Sequence, residues 1–505
     1  MSSPSAPPGA PAPPLDPRRW TMLTVALVAM FMAIFDFYVI NIATPSLQSQ
    51  LGAGEATLEL IIGGYTFTYA SLLVTGGRWG DVFSYKRLFM IGMTLFTVAS
   101  LFCGIAQSGG QLVGVRLIQG IGAALMVPQV VALITVTFPP PERPKALSWF
   151  GTTIGLAVVC AQILGGLLLS ADIADLGWRI VFLINIPIGL VTLVLAARLL
   201  PSAKAARRPK QDVIGNIGIS LTLGLAILPI VLGRSEGWPL WGWIMLGAAV
   251  PIGAATVWYE KRLPGRGGEP MIDLTLFRTR SYSVGVLTIV GVMTFYAGFI
   301  FAMTMYLQFG LGLSALEAGL TFGPMGLGFA VSSLLARPML MKYGTKVISA
   351  GQLLLLLSTV ILLIELQAMG ADATAGYLVL PLVLSGVGTG VTLPSLTGVV
   401  ISKVPPQQAG VASGLLTTAQ QFANTIGVAV FGVIFFNALG RPSPGHYADA
   451  LRVVSASGIA LSLVTLAATF LLPRGPMGPP RPAGAPAGGA AQQPAPAGAA
   501  PADGK

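Results

Sequence analysis

Apolar residues fall along this chain in solid blocks. Fourteen stretches, at about 20–44, 57–77, 87–107, 111–137, 147–170, 180–200, 213–233, 241–260, 282–308, 316–336, 346–367, 374–402, 409–437 and 450–472, carry almost no charge. Short links between them hold nearly all the Lys, Arg, Asp and Glu. A block that is apolar on every side has no polar face to offer water. About 20 such residues at 1.5 Å each match the roughly 30 Å hydrocarbon core of a bilayer. Backbone groups inside hydrocarbon must find partners within their own segment, so each block is predicted to be a helix. The expected fold is an all-α polytopic membrane protein with 14 transmembrane helices.

A repeat predicts how these helices group. Shifting the sequence by 266 residues lays Gly120, Gly122, Pro128, Pro139, Pro140 and Ala146 on Gly386, Gly388, Pro394, Pro405, Pro406 and Ala412. Span 4 and its following loop thus match span 12 and its loop. The expectation is two six-helix bundles, at 20–200 and 282–472, joined by a linker at 201–281 that carries two extra transmembrane helices. The Pro/Ala-rich segment 1–19 and the Pro/Gly/Ala-rich tail 473–505 are expected to be disordered. The first apolar run is too long for the core of a cleavable signal, so the N-terminus is read as retained.

Composition removes other classes. The chain is 54% hydrophobic and only 9% charged, far below the roughly 25% charged of soluble domains. Its net charge of +11 invites a nucleic-acid reading, but the distribution of the basic residues answers it. With alternate loops assigned to two sides, 24 of the 29 Lys and Arg fall on one side. Four (Arg179, Arg234, Arg441 and Arg452) fall on the other, and Arg116 falls within a span. This is the asymmetry of membrane topology, and it predicts a multi-pass cell-membrane protein with both termini cytoplasmic. Cys103 and Cys160 lie in spans and the single histidine, His446, lies in a loop. No metal site, cofactor, nucleic-acid partner or enzymatic nucleophile–base pair is expected.

Two charges stand inside hydrocarbon-length sequence. Asp36 is the only charged residue between Arg19 and Glu55, and a carboxylate near a helix centre costs roughly 2.5 to 3.5 kcal/mol on insertion scales. Such an acid belongs to a transport pathway, or else it is a structural acid satisfied by a neighbouring helix. Asp36 lies eight residues before Thr44, so about 12 Å from that end of its span. Arg116 lies a turn or two into span 4, at a similar depth. The repeat places Ala302 and Leu382 opposite them. The scaffold is duplicated and the charges are not, so proton chemistry is assigned to Asp36 and Arg116 in the first half.

Other candidates are weaker. Gly77-Arg78-Trp79-Gly80-Asp81-Val82-Phe83-Ser84-Tyr85-Lys86-Arg87 reads as a loop in which Gly77, Asp81, Lys86 and Arg87 latch one face of the protein. A plain basic turn is the alternative. Phe35, Tyr38, Asn41, Tyr65, Gln119, Gln162, Tyr296 and Gln308 are candidate lining for a substrate cavity, through ring stacking and side-chain amides. Each, taken singly, is also consistent with helix packing. Glu365, near the end of span 11, is left without a role.

Several of these motifs together resemble the major facilitator superfamily and, within it, the fourteen-span drug:proton antiporters. Arg116, Gln119, Gly120, Gly122, Ala123 and Ala124 match the family's span 4 pattern in full. Asp36, Asn41, Ala43 and Pro45 match its span 1 pattern, with Tyr38 in place of Thr. Gly77, Asp81, Lys86 and Arg87 match its loop 2–3 pattern, with Ser84 in place of a Gly. Trp178, Arg179, Phe182, Asn185, Pro187 and Gly189 resemble the family's start of span 6. The span 5 pattern departs: Gly165-Gly166 remain, but Ala161-Gln162 stand where the family carries Gly-Pro. The resemblance implies proton-coupled export of hydrophobic, cationic or amphiphilic drugs by a monomer. Uptake or facilitated diffusion of a small metabolite is the alternative on the same fold.

Overall fold

The computed structural model describes residues 16–139, 142–202, 212–233, 237–266, 274–369, 374–402, 404, 409–440 and 443–472. The two terminal segments expected to be disordered lie outside the described residues, apart from 16–19. The described chain is all helical. The first half holds α1 (Arg19–Leu51), α2 (Glu55–Phe83), α3 (Tyr85–Gly104), α4 (Gly109–Thr137), α5 (Arg143–Ala171), α6 (Ile180–Leu183) and α7 (Asn185–Leu199). The linker holds α8 (Val213–Leu232) and α9 (Leu240–Arg262). The second half holds α10 (Arg280–Met305), α11 (Ala315–Thr321), α12 (Gly323–Tyr343), α13 (Lys346–Met369), α14 (Val379–Ser402), α15 (Ala409–Leu439) and α16 (Pro444–Thr469). Among the described residues, twelve helical segments are long and apolar enough to cross a membrane. The 29-residue α2 and the 20-residue α8 are packed among them.

Proline explains where single spans divide. Pro187 has no N–H to give the carbonyl of Leu183, and span 6 divides there into α6 and α7 although Ile184 keeps helical angles (φ −60°, ψ −27°). Pro324 withholds a donor from Leu320 in the same way, where α11 gives way to α12 at Phe322. Some helices outrun their predicted spans. α1 continues past Pro45 to Leu51 and stops at Gly52, whose φ of +60° suits glycine.

The repeat has a packing cause. A Cβ on Gly122 would lie 2.9 Å from the Gly92 carbonyl of α3, and one on Gly388 would lie 2.8 Å from the Gly351 carbonyl of α13. Only glycine lets these backbones meet, so this matched pair is where each half locks its fourth span onto its third. Outside the bundles, α8 lies along α2: Ser220 Oγ donates to the Ser71 carbonyl at 2.8 Å, and Ile227 reaches Ala429 of α15.

The apolar core is not shared evenly between the halves. Call the end that holds Arg19 and Thr469 the basal end, and the opposite one apical. One continuous core joins the whole first bundle to the apical half of the second, through Phe301, Met305, Phe322 and Phe435. The basal half of the second bundle has a separate core around Tyr282, Ile348, Leu396 and Val400. The two bundles therefore share one apolar core apically, and the basal half of the second bundle keeps its own.

Candidate functional site

Asp36 sits on the face of α1 turned into the first bundle, fully buried. Its Oδ2 accepts from Arg116 Nη1 of α4. Its Oδ1 accepts from Gln119 Nε2 at 2.9 Å and from Asn185 Nδ2 of α7 at 3.0 Å. Arg116, also fully buried, spends Nε on the Ile61 carbonyl of α2 at 3.0 Å and Nη1 on Gln119 Oε1 at 2.8 Å. Its guanidinium lies 4.4 Å from the centroid of Tyr65 and 5.7 Å from that of Phe182. Ser100 Oγ of α3 closes the ring, accepting from Gln119 Nε2 at 2.9 Å and Asn185 Nδ2 at 3.3 Å. Each charge is thus offset by the other and by aligned dipoles, which is the condition for keeping ions in a low-dielectric interior. What the arrangement can do chemically is hold or release a proton at Asp36, with Arg116 as the group that responds.

The two charged residues singled out from sequence are therefore brought together. Tyr65 and Gln119, expected on a cavity wall, are instead members of this cluster. The Tyr65 hydroxyl donates to the Ala33 carbonyl at 2.9 Å, so its polar end is already used. Ser100 had no distinguishing signal in the sequence. Asn185 and Phe182 had one, the motif at the start of span 6. Glu59, near the start of α2, is buried and lies beside Gly432 of α15.

The other cavity candidates gather where the bundles meet. The Tyr38 carbonyl of α1 accepts from Asn41 Nδ2 at 3.3 Å and from Gln162 Nε2 of α5 at 3.4 Å. One turn on, the Ile42 carbonyl accepts from Gln308 Nε2 at 3.2 Å. Gln308 belongs to a five-residue π-helical turn, Tyr306–Gly310, that ends span 9. Tyr296 of α10 lies on the other side of this interface, in the same apolar core as Tyr38. It also lines, with Phe295, Phe299, Gln352, Ser385 and Thr389, a small cavity inside the second bundle. Phe35 stacks on Phe31 with centroids 5.8 Å apart and takes no part in this interface cluster.

The stretch read as a loop at 77–87 is mostly helix. α2 runs through to Phe83, and Ser84 alone makes the turn into α3. Helix persists because Gln129 of α4 donates to the Gly76 carbonyl at 2.8 Å and Gly77 packs on Pro128. Lys86 Nζ reaches the Ala197 carbonyl at the end of α7, 2.7 Å away, and Arg87 is exposed. The side chain of Asp81 lies outside the described residues.

Two bundles of membrane-spanning helices that share an apolar core at one end, with an ion pair buried inside the first, define a polytopic transport protein. The chain belongs to the Major Facilitator Superfamily, whose model matches residues 26–428 and 286–499. It is 39% identical over 443 residues to a probable actinorhodin transporter of Streptomyces coelicolor, covering 87% of this chain and 76% of that one. It is 32% identical over 443 residues to the tetracenomycin C resistance and export protein of Streptomyces glaucescens, covering 87% and 80%. Among solved structures it resembles a bacterial homologue of the human lysosomal transporter Spinster in an inward-facing, occupied conformation. The TM-score there is 0.64 at 17% identity, over 91% and 97% of the two chains. That likeness is one of fold.

Proposed function

We propose that this protein exports hydrophobic, amphiphilic or cationic small molecules of the antibiotic class across the cell membrane in exchange for protons. The basal end and both termini face the cytoplasm in this reading. Relatives named as antibiotic export and resistance proteins support the cargo class. The uneven division of Lys and Arg between alternate loops supports the orientation.

The observation that carries proton coupling is the burial of Asp36 in an ion pair that the repeat does not duplicate. A carboxylate buried with one guanidinium and two amides has no reason to persist as mere scaffold when its repeat counterpart is Ala302. Protonation removes the charge that Arg116 holds, so it weakens the seam between α1 and α4. Substrate acts on the same helix: Asp36 and Tyr38, two residues apart, point about 200° from each other around α1. One faces the bundle interior and the other faces the partner bundle. A tilt of α1 that suits one face therefore alters the other, which makes proton and cargo compete. Alternation between a basally open form and an apically open one completes the cycle.

The test is transport into inside-out vesicles. Accumulation of an amphiphilic dye that requires an inwardly acid gradient, and stops when the gradient is collapsed, fits the proposal. Flux that runs down the dye gradient regardless of protons fits facilitated diffusion and overturns it.

A further inference from the structure

The interface cluster contains two acceptors with no donor. Asn41 and Gln162 are each 2% exposed. Both turn their amide nitrogens onto the Tyr38 carbonyl, at 3.3 and 3.4 Å. A backbone carbonyl only accepts, so this contact fixes the orientation of both amides and leaves Asn41 Oδ1 and Gln162 Oε1 as the free ends. Neither oxygen has a hydrogen-bond partner, and both are sealed from solvent in this conformation. Buried acceptors are almost always paired, and two left open around one carbonyl ask for a donor from elsewhere.

The helices are built to hold this pair in place. Gly165 lets α5 close on α1, since a Cβ there would fall 2.5 Å from Val39 Cγ2. Gly319 lets α11 of the other bundle press on the Gln162 backbone. Gln162 is thus pinned between both bundles, at the position where the sequence departs from the span 5 pattern. Asp36, the nearest acid along α1, is already matched by Arg116. The free groups here are neutral amide oxygens, which suit a neutral O–H more than a cation that would shed its water with no counter-charge.

We propose that Asn41 Oδ1 and Gln162 Oε1 form a subsite for a neutral hydroxyl or phenol of the cargo. This deepens the export reading and rests on it for the word cargo, but the binding chemistry stands by itself. The experiment uses full-length purified protein and three fluorescent amphiphiles that differ at one position: a phenol, its O-methyl ether and its trimethylammonium analogue. Equilibrium binding should favour the phenol over the ether by about tenfold or more, since the ether leaves the acceptors unpaired. In Gln162→Leu that ratio should fall towards one. The ratio in the parent protein is informative even if this variant folds poorly. Equal affinity for phenol and ether overturns the subsite, as does tighter binding of the trimethylammonium compound. The same probes in the vesicle assay separate the two claims. Phenol-selective binding without gradient-driven flux overturns export and leaves the subsite standing. Gradient-driven flux with no phenol preference does the reverse.

Discussion

Arg116→Leu places at position 116 the residue that the repeat already puts at 382. It removes the guanidinium and leaves Asp36 buried with only Gln119 and Asn185 as donors. Breaking a buried ion pair from one side costs about 3–5 kcal/mol, because the other charge stays behind uncompensated. Asp36→Leu should cost a similar amount, since Arg116 would then keep only Gln119 and the Ile61 carbonyl as partners. The double variant removes both charges. What remains is Gln119 Oε1 without its Arg116 donor, at about 1–3 kcal/mol, while the amide nitrogens of Gln119 and Asn185 keep Ser100 Oγ as a partner. The two single losses should therefore exceed the double loss by about 3 kcal/mol, at the upper end of measured coupling energies. The assay is equilibrium unfolding of the four purified proteins in one detergent. Losses that add to within about 0.5 kcal/mol would refute the claim that the pair acts as a unit.

Ser84 takes a φ of +150° in a turn where the family pattern has glycine, so Ser84→Gly should raise stability by about 1 kcal/mol, measured by thermal unfolding. Arg19 grips Glu142 through two hydrogen bonds, of 2.8 and 3.0 Å, at the basal end. Those bonds hold the Glu142 carboxyl below the ordinary glutamate range. A depressed folded-state pKa gives stability that is present above the unfolded value and lost as pH falls through the folded one. The stability difference between the parent and Glu142→Gln should accordingly be constant near neutrality and vanish on strong acidification. A difference that persists in acid would show that the clasp is not ionic.

Much of this architecture is legible in the sequence because a bilayer leaves few options. Apolar blocks must be helices, and the glycines that repeat at a shift of 266 mark close backbone contacts, Gly122 on Gly92 and Gly388 on Gly351. The pairing of Asp36 with Arg116 could be anticipated from depth alone, since two opposite charges at one level of a membrane have few other partners. Their surroundings could not. Whether Tyr65 and Gln119 turn to a cavity or to the ion pair depends on rotation about α2 and α4, which blocks apolar on every side do not encode. Ser100 is one small polar residue among many. The continuation of α2 to Phe83 was hidden because the stretch from Gly77 reads as a loop, whereas tertiary contact with Pro128 and Gln129 keeps Gly77 and Gly80 within the helix. Gln162 was visible as an amide within a span and as a departure from a pattern, and its meaning required the Tyr38 carbonyl beside it.

The central claim is that the proton exchanged for cargo resides on Asp36, and proton release on cargo binding measures it most directly. Purified protein in weakly buffered detergent solution, with a pH-sensitive dye, should acidify the medium when an exported amphiphile is added. Asp36→Asn keeps the size of the side chain but cannot titrate, so it should bind the same amphiphile and release nothing. Release from Asp36→Asn equal to that from the parent would place the proton elsewhere and contradict the account.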